Sequence, residues 1–333
     1  MMYSLRNKIN QLFIVGYEGD DVEKCEIFKE LARNGLGGAI FFTKNIYSPE
    51  QFKKNTDKIK EMSLIAPFLS IDQEGGRVER TENIHGGKKY LSAKDAAAKG
   101  LEFVEKQAES LCEELLSFGI NMNFAPVLDT NTNPKNPIIG VRAYGDSADE
   151  VVKFALPVFK IHQKMGIIPV GKHFPGHGDT ATDSHLEMPI VKLSREEMAE
   201  THLKPFKIAI ENGLEAIMVS HVYYTCYDET PCPASLSKNV TTDLLKNELS
   251  FRGLVLSDDM VMGAVSDKNP FEEIYIKALK AGINVFLYRF SDEKLLSIID
   301  FIEETAKNDE ELFNKINQSF ENVVELKHTY KIL

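Results

Sequence analysis

Short apolar runs alternate with amphipathic stretches along nearly the whole chain, and this alternation limits the possible folds more than any other feature. Eight runs have the length and composition of buried strands: QLFIVGY, GGAIFF, PFLSID, INMNFAPVLD, IIPVGKHF, LEAIMVSHV, LVLSDD and INVFLY. Between them lie segments with apolar residues at three- and four-residue spacing, at 21–34, 49–61, 99–118, 148–164, 195–212, 239–249 and 270–281. The repeated order of strand and helix predicts a parallel sheet with crossover helices.

Eight such units close most simply into a (β/α)8 TIM-like barrel. The chain has 333 residues, more than the roughly 250 that such a barrel typically needs. We therefore expect elaborated loops after the strands, at 76–99, 129–146, 176–194 and 222–237. No linker divides the sequence, so we expect one catalytic domain over residues 1–333. An open doubly wound sheet is the competing fold, but no GxGxxG follows the first strand.

Charge and cysteine content narrow the class of protein. The chain carries 39 Lys and Arg against 50 Asp and Glu, a net charge of -11, without a basic run. Nucleic acid and membrane surfaces are therefore not expected as partners. The apolar run at 12–15 is too short for a signal sequence or a membrane span. The four cysteines form no CxxC pair, which predicts free thiols and a cytoplasmic location.

Polar residues stand at the ends of five predicted strands. They are Asp72, Asp129, Lys172 with His173, Ser220 with His221, and Asp258 with Asp259. The carboxyl ends of barrel strands open at one mouth, where the active sites of TIM barrels lie, so these side chains are expected to converge. A single polar strand end is usually a cap or a turn residue, but five together predict an active site.

The segment 171–185, GKHFPGHGDTATDSH, has the highest density of reactive side chains. Five of them carry metal-ligating atoms: His173, His177, Asp179, Asp183 and His185. Their spacing matches no known ligand signature. The alternative interpretation is proton transfer, in which Asp183 orients and charge-stabilises the imidazole of His185. Asp258 or Asp259 would then supply a carboxylate nucleophile, and the other would cap the following turn.

Along nearly its whole length, the chain resembles glycoside hydrolase family 3, specifically its β-N-acetylglucosaminidase branch. The matching segments are GLGGAIFFTKNI, IDQEGGRVER, NFAPVLDTN, IIGVRAYG, GKHFPGHGDTATDSHLEMP, SHV, PASLS and FRGLVLSDDMVMGA. The KHFPGHG…DSH element is highly specific, whereas DQEGG is moderately specific and SDD is weak.

The resemblance implies a role for particular residues. Asp258, directly after the serine of SDD, falls on the nucleophile, and His185 of DSH falls on the general acid/base, assisted by Asp183. The implied sugar-binding residues are Asp72, Arg80, Arg142, Lys172 and His173. Fixed charged donors and acceptors of this kind suit hydroxyl and acetamido groups. We expect neither a metal nor another cofactor.

The implied activity is retaining, exo-acting hydrolysis of terminal β-linked N-acetylglucosamine from soluble oligosaccharides or muropeptides during cell wall recycling, by a monomer or weak homo-oligomer. A histidinium can protonate the leaving oxygen at about pH 6 to 7, so imidazole is a sound replacement for the usual acid carboxylate. Residues 81–99 depart from the family pattern, which leaves the role of Arg80 open. His177 and His221 match family positions either as site residues or as loop supports.

The sequence suggests three alternatives to this hydrolase function. A phosphorylase would have the same fold and residues but would use phosphate in place of water. An imidazole acid/base permits this, because it does not repel phosphate as a glutamate would. A metal-dependent hydrolase would use the His/Asp loop instead. A non-catalytic sugar-binding module has no need for a nucleophile together with a proton shuttle, so the presence of Asp258, Asp183 and His185 argues against it.

Overall fold

The computed structural model of the chain describes residues 3–84, 89–181, 188–261 and 271–333. Within these ranges the strands are β1 (Phe13–Val15), β2 (Gly38–Phe41), β3 (Phe68–Ile71), β4 (Met122–Asn123), β5 (Ile168–Pro169), β6 (Gly171–Phe174), β7 (Ile190–Val191), β8 (Ala216–Val219), β9 (Tyr223–Tyr224), β10 (Leu254–Asp259) and β11 (Val285–Tyr288). Each of the eight predicted apolar runs contains at least one of these strands.

Nine of the strands form one parallel sheet in the order β5-β4-β3-β2-β1-β11-β10-β8-β6. The two ends of this sheet are consecutive in the chain, since only Val170 separates β5 from β6. β5 pairs with β4 and β6 pairs with β8, so the two segments together serve as the fifth barrel strand. The sheet therefore closes, and the predicted TIM-like barrel is confirmed.

Helices surround the barrel. They span Leu5–Asn10, Glu26–Arg33, Pro49–Met62, Ala93–Ala98, Leu101–Ser117, Ala148–Met165, Arg195–Met198, Lys204–Glu211, Phe271–Ala281, Glu293–Ala306 and Glu310–Thr329, with π-helical turns at Ala199–Leu203 and Asn239–Glu248. Every predicted amphipathic segment coincides with a helix. One helix, Ala93–Ala98, lies in a segment that the sequence predicted as loop. Its alanine-rich sequence favours a helix, and the Ser92 hydroxyl caps it by accepting the Asp95 N–H.

The helix Pro49–Met62 shows how the sequence sets these elements. Ser48 and Gln51 form a capping box at its start, and Pro49 occupies the first turn, where a missing N–H costs nothing. Phe52, Thr56 and Ile59 follow at helical spacing and are buried. This apolar face packs the helix onto the barrel.

A short parallel ribbon joins two of the long loops outside the barrel. β7 pairs with β9 through Ile190 with Tyr223 and Val191 with Tyr224. The ribbon connects the loop after β6 to the loop after β8, on the side of the barrel where the strands end. No helix in the described ranges has the length and apolar character needed to cross a bilayer.

Candidate active site

A cavity of about 390 Å³ opens at the carboxyl ends of the barrel strands. Its charged and imidazole lining consists of Asp72, Arg80, Arg142, Lys172, His173, His177, Asp258, Asp259 and Arg289. Its apolar lining consists of Ile40, Phe42, Val78, Ile138, Met218 and Leu287. Six of the eight predicted site residues are thus brought together. The other two, Asp183 and His185, lie outside the described residues, and their roles remain predictions.

A buried ion-pair network supports the cations of one wall. The Lys172 ammonium lies 2.7 Å from Asp72 Oδ1 and 2.6 Å from Glu74 Oε1. Arg142 donates to both Glu74 oxygens, at 2.9 and 2.8 Å. Burial by itself raises the pKa of Glu74, but Arg142 and Lys172 outweigh it and hold that pKa well below the usual range. Glu74 is therefore an anion that fixes two cavity cations.

Asp129 fixes the two histidines of the cavity wall, His173 and His177. This fully buried carboxylate accepts the backbone N–H of His173 at 3.2 Å and that of His177 at 2.6 Å. Its Oδ2 also lies 2.6 Å from His173 Nδ1. Arg142 Nη2 approaches His173 Nε2 at 3.4 Å, and a guanidinium can only donate, so we assign the His173 proton to Nδ1. Asp129 does not line the cavity; it orients a residue that does.

His177 both lines the cavity and supports its loop. Burial, together with His173, lowers the pKa of His177 to about 4, so it is neutral near pH 7. The Thr180 hydroxyl donates to the His177 carbonyl at 3.1 Å and therefore accepts from His177 Nδ1 at 2.9 Å. This assignment leaves Nε2 without a proton, as a hydrogen-bond acceptor.

Arg80 lies beside Asp72 over an aromatic ring. Its Nη2 is 3.7 Å from Asp72 Oδ2, and its guanidinium carbon is 5.8 Å from the centre of the Phe42 ring. The buried Arg80 Nε has no hydrogen-bond partner among the described residues. Although residues 81–99 depart from the family pattern, Arg80 still faces the cavity.

Asp258 and Asp259 end β10 and both line the cavity. Consecutive residues of a regular strand point to opposite faces, but the pairing of β10 with β11 shifts register between Leu256 and Asp259. Asp258 Oδ1 accepts the Asp259 N–H at 2.8 Å. Burial raises the pKa of Asp258, but His173, His221, this N–H and Lys172 together lower it to about 2. The Asp258 carboxylate is therefore ionised near neutral pH.

Asp259, in contrast, contacts the backbone of the following turn and the side chain of Arg289. Its Oδ1 accepts the Val261 N–H at 3.1 Å, and Arg289 Nε donates to its Oδ2. Burial raises the pKa of Asp259, although Arg289 acts against this. Asp259 therefore binds the Val261 backbone and Arg289, whereas the role of Asp258 as the nucleophile remains a prediction.

Glu74 and Arg289 were not among the site residues predicted from the sequence. Glu74 belongs to the DQEGG motif, so its position in the motif was the available signal. Arg289 directly follows the eighth strand, β11, and the rule that polar strand ends converge would have found it. His221, in contrast, lies behind the lining: its Nε2 is 3.1 Å from the Asp259 carbonyl and its Nδ1 is 2.7 Å from Ser235 Oγ.

Within the described ranges, no group of three or more His, Cys, Asp or Glu side chains is arranged to hold a metal ion. The candidate ligands found there have other contacts. His173 and His177 are bound to Asp129 and Thr180, and the Asp179 carboxylate accepts the Thr132 hydroxyl at 3.0 Å. These contacts do not favour the metal-hydrolase alternative.

Comparison with known proteins gives a consistent result. The family described as "Glycosyl hydrolase family 3 N terminal domain" matches residues 4–326. A β-hexosaminidase of Photobacterium profundum is 33% identical over 290 residues, which cover 87% of this chain and 84% of that protein. A family 3 β-N-acetylglucosaminidase from Paenibacillus sp. strain FPU-7 has a solved structure that matches with a TM-score of 0.93 and 33% identity, over 99% of this chain.

Some of these relatives are much longer than this chain. β-Hexosaminidase A of Pseudoalteromonas piscicida is 32% identical over 320 residues, which cover 88% of this chain but 52% of that protein. The Paenibacillus structure is covered over 63% of its length. The chain therefore corresponds to about half to two thirds of these longer relatives.

Proposed function

This chain belongs to glycosyl hydrolase family 3, and from the geometry of its cavity we propose that it is a retaining exo-β-N-acetylglucosaminidase. The observation that carries the proposal is the position of the Asp258 carboxylate, which faces a cavity lined by Arg80, Arg142 and Lys172. A carboxylate nucleophile among fixed donors is what attack on the anomeric carbon of a neutral sugar requires.

In the first step, a carboxylate oxygen of Asp258 attacks the anomeric carbon and forms a glycosyl ester. The bond from that carbon to the aglycone oxygen breaks, and its electron pair stays on the leaving oxygen, which takes a proton from the His185 imidazolium. In the second step, His185 removes a proton from water as the water attacks the anomeric carbon. The ester bond then breaks, and its electron pair returns to the Asp258 carboxylate.

We assign sugar binding to five residues of the cavity wall: Asp72, Arg80, Arg142, Lys172 and His173. The proposal is supported by contacts that fix three of them before any substrate arrives: Glu74 holds Arg142 and Lys172, and Asp129 holds His173. Pre-oriented donors cost little reorganisation during the reaction. Lys172 and Glu74 are almost fully buried at this wall, and we propose that the wall limits the site to one terminal sugar.

For the biological role, we propose hydrolysis of soluble oligosaccharides or muropeptides during cell wall recycling in the cytoplasm. All four cysteines are free thiols, as expected in a reducing compartment. We also propose that residues 1–333 form a single catalytic domain, because one closed barrel supplies the residues that line the cavity.

Turnover of 4-nitrophenyl β-N-acetylglucosaminide, compared with the matching β-glucoside, tests the activity. NMR of the first-formed sugar tests the mechanism, since retention releases the β-anomer. Release of the α-anomer would contradict a glycosyl-enzyme on Asp258. Formation of mainly sugar 1-phosphate in millimolar phosphate would instead favour the phosphorylase alternative, which no observation in the cavity currently favours.

A further inference from the structure

Residue Asp259 is held from both neighbouring strands of the barrel, through its carboxylate on one side and its carbonyl oxygen on the other. In the sheet, β10 lies between β11 and β8. From the β11 side, Arg289 donates through Nε to the Asp259 carboxylate. From the β8 side, His221 contacts the Asp259 carbonyl oxygen at 3.1 Å through Nε2.

We infer that Arg289 and His221 are positioning residues, which hold residue Asp259 in place so that its backbone N–H fixes the orientation of Asp258 for attack. The inference rests on the proposed function, because it concerns the nucleophile of that reaction. Neither residue needs to touch the substrate to have this effect.

The contact that transmits the effect is short and directional. The Asp259 N–H donates to Asp258 Oδ1 at 2.8 Å. Since Oδ1 is engaged, Oδ2 is the oxygen that attacks the anomeric carbon. Rotation of the peptide between Asp258 and Asp259 would release Oδ1 and allow the carboxylate to turn away from the sugar. Misplacement of reacting atoms by about 1 Å can cost about 100-fold in rate.

The chemistry of His221 defines its part in this arrangement. A carbonyl oxygen only accepts, so Nε2 carries the proton and donates to Asp259. Burial lowers the pKa of His221, which favours the neutral ring. The unprotonated Nδ1 then accepts the Ser235 hydroxyl at 2.7 Å, which fixes the ring and its tautomer.

The backbone of Arg289 is equally well fixed. It follows β11 directly, and Gly16 of the neighbouring β1 end packs against it. A Cβ atom at Gly16 would lie 2.2 Å from the Arg289 carbonyl oxygen, so only glycine permits this approach. The side chain is 34% exposed, yet its Nε reaches the buried Asp259 carboxylate. A residue fixed in this way can transmit a stable orientation to Asp259.

The test compares variants that remove each donor with variants that retain one. Arg289→Met and His221→Met remove the donors. Arg289→Lys keeps a cation, and His221→Gln places an amide N–H near the position of Nε2. Arg33→Met, at an exposed helix position, is the control for loss of an arginine. The substrate is 2,4-dinitrophenyl β-N-acetylglucosaminide, whose leaving group needs no proton, so its rate reports attack by Asp258.

For each methionine variant we expect kcat/KM to fall about 10- to 100-fold, while the inhibition constant of N-acetylglucosamine changes little. Because each substitution leaves a buried acceptor unpaired and lowers the melting temperature, the rates are compared at a temperature at which every variant is folded. His221→Gln and Arg289→Lys should recover part of the loss, and Arg33→Met should match the wild type. Unchanged kcat/KM in both methionine variants would overturn the inference. So would a weakening of sugar binding that accounts for the whole loss, because this would indicate a binding role.

Crystal structures of the variants give a second readout, which does not depend on the substrate. We expect the Asp258 carboxylate to adopt a different or a second orientation when either donor is lost. An unmoved carboxylate in both methionine variants would overturn the inference even if the wild type failed to hydrolyse any β-N-acetylglucosaminide, which is the outcome that would overturn the proposed function.

Discussion

Lys172 and Glu74 form an ion pair of 2.6 Å in which the side chains are only 1% and 4% exposed. Such a pair contributes little net stability by its formation, because desolvation offsets the attraction, but loss of one partner leaves an uncompensated buried charge. Glu74 also binds Arg142 through both oxygens. One carboxylate therefore keeps two cations in place against the cavity.

We predict that Glu74→Gln lowers both stability and activity. The isosteric amide retains the shape of the side chain but removes the negative charge beside Lys172 and Arg142. Breaking a buried ion pair typically lowers the free energy of unfolding by about 3 to 5 kcal/mol. Urea unfolding should show the loss, and KM should rise because the two cations no longer hold their positions. Glu102→Gln is the control, since the Glu102–Lys106 pair is exposed and should make no measurable difference. Equal effects of the two substitutions would contradict the assignment.

The barrel was predictable from the sequence because its strands are buried on both faces and therefore consist of continuous apolar runs. The division of the fifth strand was not predicted. β5 ends at Pro169, which has no N–H to donate, and beyond Val170 the chain pairs with β8 instead of β4. Changes of partner of this kind depend on neighbours that are distant in sequence.

The site could be predicted only in part, for a similar reason. Asp72, Lys172 and Asp258 were identified from strand ends and family motifs, and all three line the cavity. That both Asp258 and Asp259 line the cavity depends on the register shift of β10, and the part played by Glu74 depends on its contacts with residues 68 and 98 positions away. Sequence patterns place residues at the mouth of a barrel, but partners in space determine what each one does.

We predict that Asp258→Ala reduces turnover by about 10³-fold or more, as loss of a nucleophile typically does. Asp259→Ala should retain more activity, because Asp259 acts through the turn that it stabilises. A mechanism-based fluorosugar should label Asp258, with the modified peptide identified by mass spectrometry. Azide added to Asp258→Ala should yield the α-glycosyl azide. Labelling of Asp259 would instead identify Asp259 as the nucleophile.

We predict that His185→Ala slows both chemical steps, with a first-step loss that depends on the leaving group. General acid catalysis contributes about 10²- to 10⁴-fold, and a good phenolate leaving group does not need it. Asp183→Ala should give the same pattern more weakly. Pre-steady-state rates for a series of aryl glycosides measure both effects. An equal loss for every leaving group would indicate a histidine with a binding or structural role.

We predict that exhaustive chelation leaves the rate unchanged. Asp129 and Thr180 occupy the Nδ1 atoms of His173 and His177, so these histidines have roles that need no metal. Elemental analysis before and after dialysis against EDTA, with activity measured alongside, provides the check. Stoichiometric zinc whose removal abolishes activity and whose return restores it would support the metal-hydrolase alternative.

Lys327 is buried without a carboxylate partner among the described residues. Its Nζ lies 2.8 Å from Gln11 Oε1 and 3.0 Å from the Gly37 carbonyl, and 4.6 Å from the centre of the Phe68 ring. A neutral amine has two N–H groups, enough for both acceptors. Burial lowers the pKa of Lys327 well below its usual value.

Between this lowered pKa and about 10.4, the usual value for lysine, the unfolded chain binds one proton more than the folded protein at position 327. The free energy of unfolding of the wild type should therefore rise with pH relative to Lys327→Met, by at most about 1.4 kcal/mol per pH unit. Because both proteins contain the same buried tyrosines, the contribution of tyrosine ionisation cancels in the difference between the two free energies of unfolding. Lys24→Met, at an exposed position, should show no such trend. Denaturant unfolding from about pH 7 to 10 measures the difference, and a difference that stays flat would mean that Lys327 remains charged in the folded barrel.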